Sequence, residues 1–396
     1  MLLCLLHVSC FPVFAVYSSS EFGVDIEGEV RVNFPKIMAR MRKIRADISE
    51  FEAAERLAKL GIDVFLGKAV FDTPTSVVVG NRRILFKKCI LCTGASAHVP
   101  SYPGLNSVSF VTNESLFNLT VLPASMIVLG GGPIGAEMAQ AFARFGTRVT
   151  IIDRGERIMR KEDPDAATLV EAAMARDGVQ FIHGATIVCI AKAAGGGTSA
   201  GTDGVDVTIS SQGVESVVSS AVLFVATGRR PRVAAMGLEV AGVKADALTG
   251  IQVDDNMRTS NKNIFAAGDC CSRYQFTHMA DWMARICIKN ALFFGADKFS
   301  KLIVPWCTYT DPEIAHVGLY AADLDEKCVP FETFTRHFDD NDRAVCEGTT
   351  SGFVKIHVKK GTDHIVGATI VGEGAGDMIS EITVAMHAGM GLSKLV

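Results

Sequence analysis

The stretch "MIVLGGGPIGAEMAQAFARFG", from Met126 to Gly146, decides the fold, and "TRVTIID" follows it at once and ends on Asp153. An apolar run, a glycine turn, a run with helical spacing and a second apolar run predict strand, turn, helix and strand. This succession is typical of the βαβ unit of an α/β sheet that binds a dinucleotide. The unit starts a third of the way along the chain, so about a domain's length of sequence precedes it.

Three glycines of this stretch, Gly130, Gly132 and Gly135, form the pattern G-x-G-x-x-G. The first glycine permits a tight turn, the second lets the backbone approach a pyrophosphate, and the third lets the helix pack on the strand. The N-terminus of the helix supplies free N–H groups and a partial positive charge to the phosphates. The pattern alone is weak evidence, but here it stands between a predicted strand and a predicted helix.

The acidic residue at the end of the second strand, Asp153, lies where a carboxylate accepts hydrogen bonds from ribose hydroxyls. The same negative charge would repel a 2′-phosphate, so the sequence predicts that the site binds NAD(H) in preference to NADP(H). Arg154 and Arg157 follow closely and weaken this preference. A glycine turn that holds no ligand is the alternative interpretation.

Composition excludes several classes of function. The chain has 396 residues, enough for two or three domains, and its net charge of -4 gives no general attraction to nucleic acid or to anionic membranes. Its 11 cysteines are scattered along a large chain, which argues against a disulfide scaffold. Cys89 and Cys92, three apart on a predicted strand, and the adjacent Cys270 and Cys271 are expected to be buried, unreactive thiols.

The N-terminus is apolar from Leu2 to Val16, which is too short for a membrane span. It resembles the apolar core of a secretory signal but lacks the positive residues that precede one. A wrongly assigned gene start is the alternative. No other stretch is apolar over a membrane's thickness, so we expect a soluble protein of undetermined location.

The region before the glycine turn predicts helix and then strands. Apolar residues recur at helical spacing between Asn33 and Leu60, with Pro35 suited to the first turn and Gly61 to the C-terminal stop. Three short strands are predicted at "IDVFLG", "SVVVG" and "RILFKK", the last two joined by a hairpin at Gly80 and Asn81.

A second constellation follows the glycine turn, in "TSNKNIFAAGDCC". A predicted strand delivers Gly268 and Asp269 at its carboxyl end, where open α/β sheets bind ligands and where a carboxylate can bond a polyol. Two further strands end on glycine turns, "CTGA" with Gly94 and "VATGRRP" with Gly228. The spacing suggests two nucleotide-binding units, the second inserted into the first.

The motifs "CILCTGA", "GGGPIGAE", "VATGRRP", "IFAAGDC" and "CTYTDPEIAHVGL" occur in the order seen in the pyridine nucleotide–disulfide oxidoreductases, which the chain therefore resembles. These are flavoenzymes such as dihydrolipoamide dehydrogenase, glutathione reductase and mercuric reductase. The last two stretches, with "GFVKIHVKKG", are most similar to the mercuric reductase and dihydrolipoamide dehydrogenase branch. The resemblance runs from about Phe22 to Val396.

The resemblance implies an α/β fold with two Rossmann-like nucleotide-binding domains and a C-terminal α+β dimerisation domain. Residues 1–21 would lie outside the family pattern. Residues 22–122 and 246–300 would form a partial FAD-binding domain, residues 123–245 an inserted NAD(P)-binding domain, and residues 301–396 a dimerisation domain that is incomplete at its C-terminus. Members of the family are homodimers, so a homodimer is expected.

The resemblance also implies site roles. Gly130, Gly132, Gly135 and Asp153 would hold NAD(H), Glu137 would meet the nicotinamide end, and Gly228 would line the same cleft. Asp269 would bind the ribityl chain of FAD, Gly94 would lie near the FAD, and the backbone of Thr277 would face the flavin ring. Hydride would pass from nicotinamide to flavin. No residue is assigned as a catalytic group or as a metal ligand.

Three family features have no counterpart in the 396 residues: the N-terminal G-x-G-x-x-G for the FAD pyrophosphate, the redox-active C-x-x-x-x-C, and the C-terminal His-x-x-x-x-Glu. The leading hypothesis is therefore a fragment or truncated member of the family, or a member that is not competent as a disulfide reductase. The second is an NADH-binding module without catalysis. The third is a thiol-independent reductase that passes electrons from NADH through flavin to quinones or dyes.

Overall fold

The computed structural model describes residues 10, 13–16, 19–197 and 203–395, without the side chains of residues 52, 194–197 and 203. The predicted apolar segment of residues 1–21 therefore lies largely outside the described residues. The chain divides into two compact units. The first unit comprises Met1–Arg45, Val99–Gly228 and Ile303–Val396, and the second comprises Ala46–His98 and Arg229–Leu302.

The described chain contains both helices and strands, and several strands follow one another between some of the helices. In chain order the helices are α1 (Phe34–Ser49), α2 (Ala54–Lys59), α3 (Pro133–Arg144), α4 (Pro164–Arg176), α5 (Thr277–Leu292), α6 (Ala321–Glu326), α7 (Asp342–Glu347) and α8 (Ala375–His387). The strands are β1 (Ala69–Thr73), β2 (Ser76–Val79), β3 (Arg82–Leu85), β4 (Cys89–Leu91), β5 (Ala95–Ala97), β6 (Ser125–Leu129), β7 (Arg148–Ile152), β8 (Gln180–Ile182), β9 (Thr186–Gly197), β10 (Asp203–Ser211), β11 (Val214–Ser220), β12 (Val222–Val225), β13 (Arg229–Pro231), β14 (Ala245–Asp246), β15 (Gly250–Ile251), β16 (Ile264–Ala266), β17 (Pro305–Thr308), β18 (Glu313–Gly318), β19 (Phe331–His337), β20 (Phe353–Lys359) and β21 (Ile365–Gly372).

The first unit is built around a parallel sheet in the order β12-β6-β7-β8. All four residues of β12 and four of the five in β6 are buried, the pattern of strands covered on both faces. Helix α3 connects β6 to β7, so the predicted strand, turn, helix and strand are confirmed. The α/β fold predicted from the glycine stretch is thus correct, and an antiparallel sheet of β11, β10 and β9 belongs to the same unit.

The first unit also contains an antiparallel five-stranded sheet in the order β17-β18-β21-β20-β19. Helix α8 packs on one face of it, against alternate apolar residues of three strands. These residues are Ala315, Val317, Ile356, Val358, Ala368 and Ile370. The other face carries a row of directly paired residues that crosses four strands. This polar row consists of Trp306, His316, Thr369 and Lys355.

The second unit contains small sheets and the helices α2 and α5. Strands β1, β2 and β3 form an antiparallel meander, and the predicted hairpin between β2 and β3 is confirmed, with Val79 paired to Arg82 around Gly80 at φ 60°. Strands β4 and β16 pair in parallel and deliver their carboxyl ends side by side. The strand predicted at "IDVFLG" is wrong: residues 62–67 form no strand in the described structure, and Leu66 is 85% exposed. An apolar run without a neighbouring strand gains no ladder of hydrogen bonds.

The helix predicted from Asn33 to Leu60 is correct in its ends but wrong in its middle. Asn33 caps α1, because its Oδ1 accepts the Lys36 N–H at 3.0 Å. A 3-10 turn and the extended backbone of Ala53 (ψ 143°) separate α1 from α2. At the end of α2, Gly61 takes φ 79° and the Ile62 N–H reaches the Leu57 carbonyl at 3.1 Å, which confirms the predicted stop.

Candidate nucleotide-binding site

The glycine turn between β6 and α3 has two glycines that the packing demands and one that it does not. Gly130 has φ 104°, and a Cβ there would lie 2.7 Å from the carbonyl oxygen of Ala226. A Cβ at Gly135 would collide with the carbonyl of Gly130. At Gly132, by contrast, a Cβ would meet no described atom within 4 Å. The space in front of Gly132 is therefore open, and the backbone is free to approach a ligand there.

Helix α3 begins directly at this open space. Gly132 is its N-cap, with φ -72° and ψ 177°, Pro133 follows in the first turn, and no described side chain caps the helix end. The free N–H groups of the first turn, together with the helix dipole, favour an anion at this place. The arrangement therefore fits the pyrophosphate of a dinucleotide.

Asp153 ties the end of β7 to the glycine turn. Its Oδ2 accepts the N–H of Gly131 at 2.7 Å, and its Oδ1 accepts the N–H of Gly155 at 2.7 Å. Each carboxylate oxygen has more than one lone pair, so both can still accept a hydroxyl. The carboxylate is thus held by the backbone in a fixed orientation beside the glycine turn.

The arginines near Asp153 differ from the sequence-based expectation. The guanidinium of Arg157 faces the backbone, where it donates to the carbonyls of Met159 at 3.1 Å and Arg160 at 3.2 Å. The side chain that approaches Asp153 is that of Arg160, whose Nε lies 3.8 Å from Oδ1. Arg160 and Arg157 also line an open depression of about 860 Å³ beside α4. Sequence reasoning missed Arg160, since its distance in the chain gives no signal of its position.

Glu137 lies on α3 and is buried, with 5% of its surface exposed. Its Oε1 accepts the backbone N–H of Tyr309 at 3.0 Å, and burial raises the pKa of the carboxyl group to about 7. The carboxyl group is therefore poised between its neutral and charged forms at neutral pH. Nothing in the sequence indicated that the backbone of Tyr309 would bond Glu137.

Gly228 follows β12 in the same unit. It has φ 113°, and a Cβ there would meet no described atom within 4 Å. Strand β12 lies beside β6, and the Ala226 N–H donates to the Leu129 carbonyl at 2.9 Å. The carboxyl ends of both strands therefore open at the same edge of the sheet, which is where α/β sheets bind ligands.

The three residues predicted to contact a flavin lie in the second unit. Gly94, with φ 69°, follows β4, and Asp269 follows β16, its strand partner. Thr277 is the first residue of α5. The carboxylate of Asp269 is paired with Arg229, whose Nη2 lies 2.7 Å from Oδ2. Arg229 belongs to the "VATGRRP" motif, but the motif alone does not predict that Arg229 pairs with Asp269.

Every cysteine that the structure describes is a free thiol. Cys270 is buried as predicted, and its Sγ contacts the carbonyl oxygens of Leu91 at 3.4 Å and Ala267 at 3.3 Å. Burial raises the pKa of Cys287 to about 12 and that of Cys89 to about 11, so both thiols are protonated at neutral pH. Cys92 is exposed, because it lies beyond the end of β4, and the prediction that it is buried is wrong.

Two larger properties of the described residues bear on function. No helix among them is long and apolar enough to cross a membrane. No group of three or more His, Cys, Asp or Glu side chains in the described part of the chain has a geometry that could hold a metal ion.

Comparison with known proteins yields two family matches. Residues 13–284 match the family described as pyridine nucleotide-disulphide oxidoreductase. Residues 304–396 match its dimerisation domain. Together the matches span nearly the whole chain.

Curated relatives carry two names. A mercuric reductase of Staphylococcus aureus is 33% identical over 339 residues, which are 86% of this chain and 60% of that protein. A dihydrolipoyl dehydrogenase of Geobacillus stearothermophilus is 29% identical over 401 residues, which are 97% of this chain and 82% of that protein. The chain spans less than two thirds of the length of several mercuric reductases that it matches, and 52% of the one from Bacillus cereus.

Solved structures show the same fold. The HOCl-induced flavoprotein disulfide reductase RclA from Escherichia coli superposes with a TM-score of 0.82 at 26% identity, over 98% of this chain and 85% of that chain. LpdA from Mycobacterium tuberculosis superposes with a TM-score of 0.85 at 24% identity, over 100% of this chain and 84% of that chain. With the family matches and the glycine turn at the edge of its parallel sheet, the chain belongs to the pyridine nucleotide-disulphide oxidoreductase family.

Proposed function

We propose that this chain binds NADH through Gly130, Gly132, Gly135 and Asp153 and serves hydride transfer from NAD(P)H to FAD. The observation that carries the proposal is the open space at Gly132, which lies between a free helix N-terminus and a carboxylate bonded to the glycine turn at 2.7 Å. Phosphate binding at the helix end and ribose binding at the carboxylate together define a dinucleotide site. We propose that Glu137 meets the nicotinamide end and that Gly228 lines the same cleft.

We propose NADH in preference to NADPH. A 2′-phosphate would approach the negative charge of Asp153, whose two oxygens are already held at the ribose position by backbone N–H groups. Arg160 offers an opposing positive charge, but its side chain is 49% exposed and therefore well screened by solvent. The unfavourable charge is buried and the favourable one is not, so the balance favours the unphosphorylated ribose.

The residues of the second unit fit one end of a flavin. Gly94, Asp269 and Thr277 offer an open glycine turn, a carboxylate and a helix start at the carboxyl ends of β4 and β16. Arg229 would hold the Asp269 carboxylate in place for a ribityl chain. The 396 residues carry no second G-x-G-x-x-G, so a pyrophosphate cradle for FAD is not part of the fit. FAD, when bound, supplies the electron acceptor for the nicotinamide hydride.

We further propose that these 396 residues by themselves do not reduce disulfides, because no two of their cysteines stand in a C-x-x-x-x-C. The domain limits that we propose are residues 22–122 and 246–300 for the partial FAD domain, 123–245 for the NAD(P) domain and 301–396 for the dimerisation domain. A homodimer formed through the last of these is the proposed assembly, supported by the match to the family's dimerisation domain.

The test is to titrate the purified chain with NADH and NADPH while the visible absorbance of flavin is recorded. We expect NADH to bind more tightly than NADPH, and any bound flavin to be bleached by NADH. NADH binding to a colourless protein would instead favour a binding module without catalysis. Bleaching followed by reduction of a quinone or dye would favour a thiol-independent reductase. A chain that binds neither nucleotide contradicts the proposal.

A further inference from the structure

A short segment joins the nucleotide site to the polar row of the five-stranded sheet, and both lie in the first unit. We call this segment, residues 157–163, the strap. At its first end the N–H of Met159 donates to the Gly131 carbonyl at 2.7 Å. The side chain of Ile158 packs on the same glycine, since a Cβ on Gly131 would lie 2.7 Å from Ile158 Cγ2. The strap therefore forms one wall of the glycine turn.

The strap has a backbone conformation that needs external support. Met159 is buried and has φ 45°, in the left-handed region that side-chain-bearing residues rarely adopt. Arg157 supports it internally, because its guanidinium donates to the carbonyls of Met159 and Arg160 and reaches the Glu162 carbonyl at 3.4 Å. A strained residue persists where the surrounding contacts determine its conformation. The contacts at the other end of the strap therefore help to keep Met159 in its left-handed conformation.

The second end of the strap is fixed to the five-stranded sheet by Glu162. Its carboxylate is buried, with 7% of the residue exposed, and accepts hydrogen bonds from Tyr320 Oη at 2.5 Å and Trp306 Nε1 at 3.2 Å. The next residue, Asp163, accepts Lys355 Nζ at 2.9 Å on both of its oxygens. Hydrogen bonds to a buried charge are among the stronger ones in proteins.

The rings of both donors to Glu162, Trp306 and Tyr320, contact the ring of His316. The ring of Tyr320 stacks on His316, with centroids 3.6 Å apart and an interplanar angle of 19°. His316 is bonded to Thr369 Oγ1 at 2.9 Å, and burial lowers its pKa to about 3, so it stays neutral. The residues of the polar row therefore pair with one another across β17, β18, β21 and β20.

We propose that Glu162 and Tyr320 are positioning residues for nucleotide binding, which set the glycine turn through the strap without touching the nucleotide. The inference rests on the proposed NADH site. It assigns to the five-stranded sheet a role in the affinity for NADH in addition to any role in dimerisation. The physical link is continuous: Tyr320 holds Glu162, the strap holds Met159, and Met159 bonds Gly131, whose N–H in turn bonds Asp153.

The test uses Tyr320→Phe in the full chain, which removes the hydroxyl and keeps the ring that stacks on His316. We expect the dissociation constant for NADH to rise roughly threefold to tenfold. We also expect faster hydrogen exchange at the amides of the strap and of Gly131, whether or not NADH is present. Trp306→Phe removes the second donor to Glu162 and should act in the same direction.

Thr333→Val is the matched control, since it removes a hydrogen bond to His357 in the same sheet, and no hydrogen bond described in the structure joins Thr333 to the strap. It should leave the affinity for NADH and the exchange of the strap unchanged, and an equal effect would overturn the inference by showing general loosening. Unchanged affinity and exchange in Tyr320→Phe would overturn the inference alone. An unaltered chain that binds no NADH would overturn the proposed function and this role together.

Discussion

At the scale of single residues, the glycines of one turn have different physical reasons to be glycine. Gly135 has no room for a Cβ because the backbone of Gly130 fills the place. Gly132 has room, and its φ of -72° is open to any residue. The missing side chain at Gly132 therefore serves whatever occupies the space in front of it, and the fold does not require it.

Substituting these two glycines separates binding from folding. We expect Gly132→Ala to keep the thermal stability of the chain and to raise the dissociation constant for NADH roughly tenfold or more, a change of about 1.4 kcal/mol. Gly135→Ala should lower the free energy of unfolding by about 1–3 kcal/mol, because the helix must move away from β6. Calorimetric titration and thermal unfolding measure both. Equal NADH affinity in Gly132→Ala would contradict a pyrophosphate site there.

Glu137 predicts a pH dependence of stability. Its pKa rises from 4.5 to about 7 on folding because the charged form is desolvated. The folded chain thus binds more protons than the unfolded chain between these values, and stability falls as pH rises through this window and stays lower above it. The loss attributable to Glu137 is at most about 3.5 kcal/mol, at about 1.4 kcal/mol for each pKa unit between 4.5 and 7.

Glu137→Gln isolates this contribution, since the neutral amide keeps a carbonyl to accept the Tyr309 N–H. Urea unfolding at several pH values should show a smaller decline between pH 4.5 and 7 in the variant than in the unaltered chain. Identical pH profiles would show that Glu137 titrates normally. Glu313, which raises the pKa of Glu137 by its charge, remains in both proteins.

At the scale of elements, α4 has its N-terminus fixed in two ways. Asp163 caps the helix by accepting the N–H of Asp165 at 3.0 Å and that of Ala166 at 3.3 Å. The same carboxylate pairs with Lys355 of β20, and both side chains are largely buried. Asp163 therefore both caps α4 locally and forms a long-range ion pair with β20.

Two substitutions of Asp163 separate these effects. Asp163→Asn keeps a good capping residue and removes the charge, so it should cost about 3 kcal/mol by leaving Lys355 without its buried partner. Asp163→Ala should cost about 1 kcal/mol more, because the cap is lost as well. The free energies come from urea unfolding of each variant. If Asp163→Asn matched the unaltered chain, Asp165, which also contacts Lys355, would suffice.

Much of the element structure could be predicted from local pattern. The apolar periodicity of α3, the cap at Asn33 and the hairpin at Gly80 each depend on residues close together in the chain. The break in the predicted helix at Ala53 and the missing strand at residues 62–67 could not be predicted. Both runs have residue types that suit the predicted helix or strand. Whether the helix continues or the strand forms is decided by the elements that surround each run.

At the scale of the whole molecule, helix α8 presents an exposed apolar face to the second copy of the chain in the proposed dimer. Helix α8 exposes Val384 to 66% and lines a depression of about 340 Å³ with Met390 and Leu395. Such an exposed apolar face is typical of an interaction surface. We expect the chain to sediment as a dimer and Val384→Asp to shift it to monomer, whereas Ser219→Ala on the exposed β11 should leave it dimeric. A Val384→Asp chain that stays dimeric would place the interface elsewhere.

The family, the α/β fold and the positions of the glycine turn and Asp153 are encoded locally, because these depend on residue type at fixed spacing. Four contacts depend on packing and follow from no local pattern: Arg160 beside Asp153, Tyr309 on Glu137, Arg229 on Asp269, and Tyr320 on Glu162. Local periodicity and turn chemistry are encoded within a few residues of one another. A partner that is brought close only when sheets and helices pack has no such local signal, because its contact depends on the arrangement of elements that are far apart in the chain.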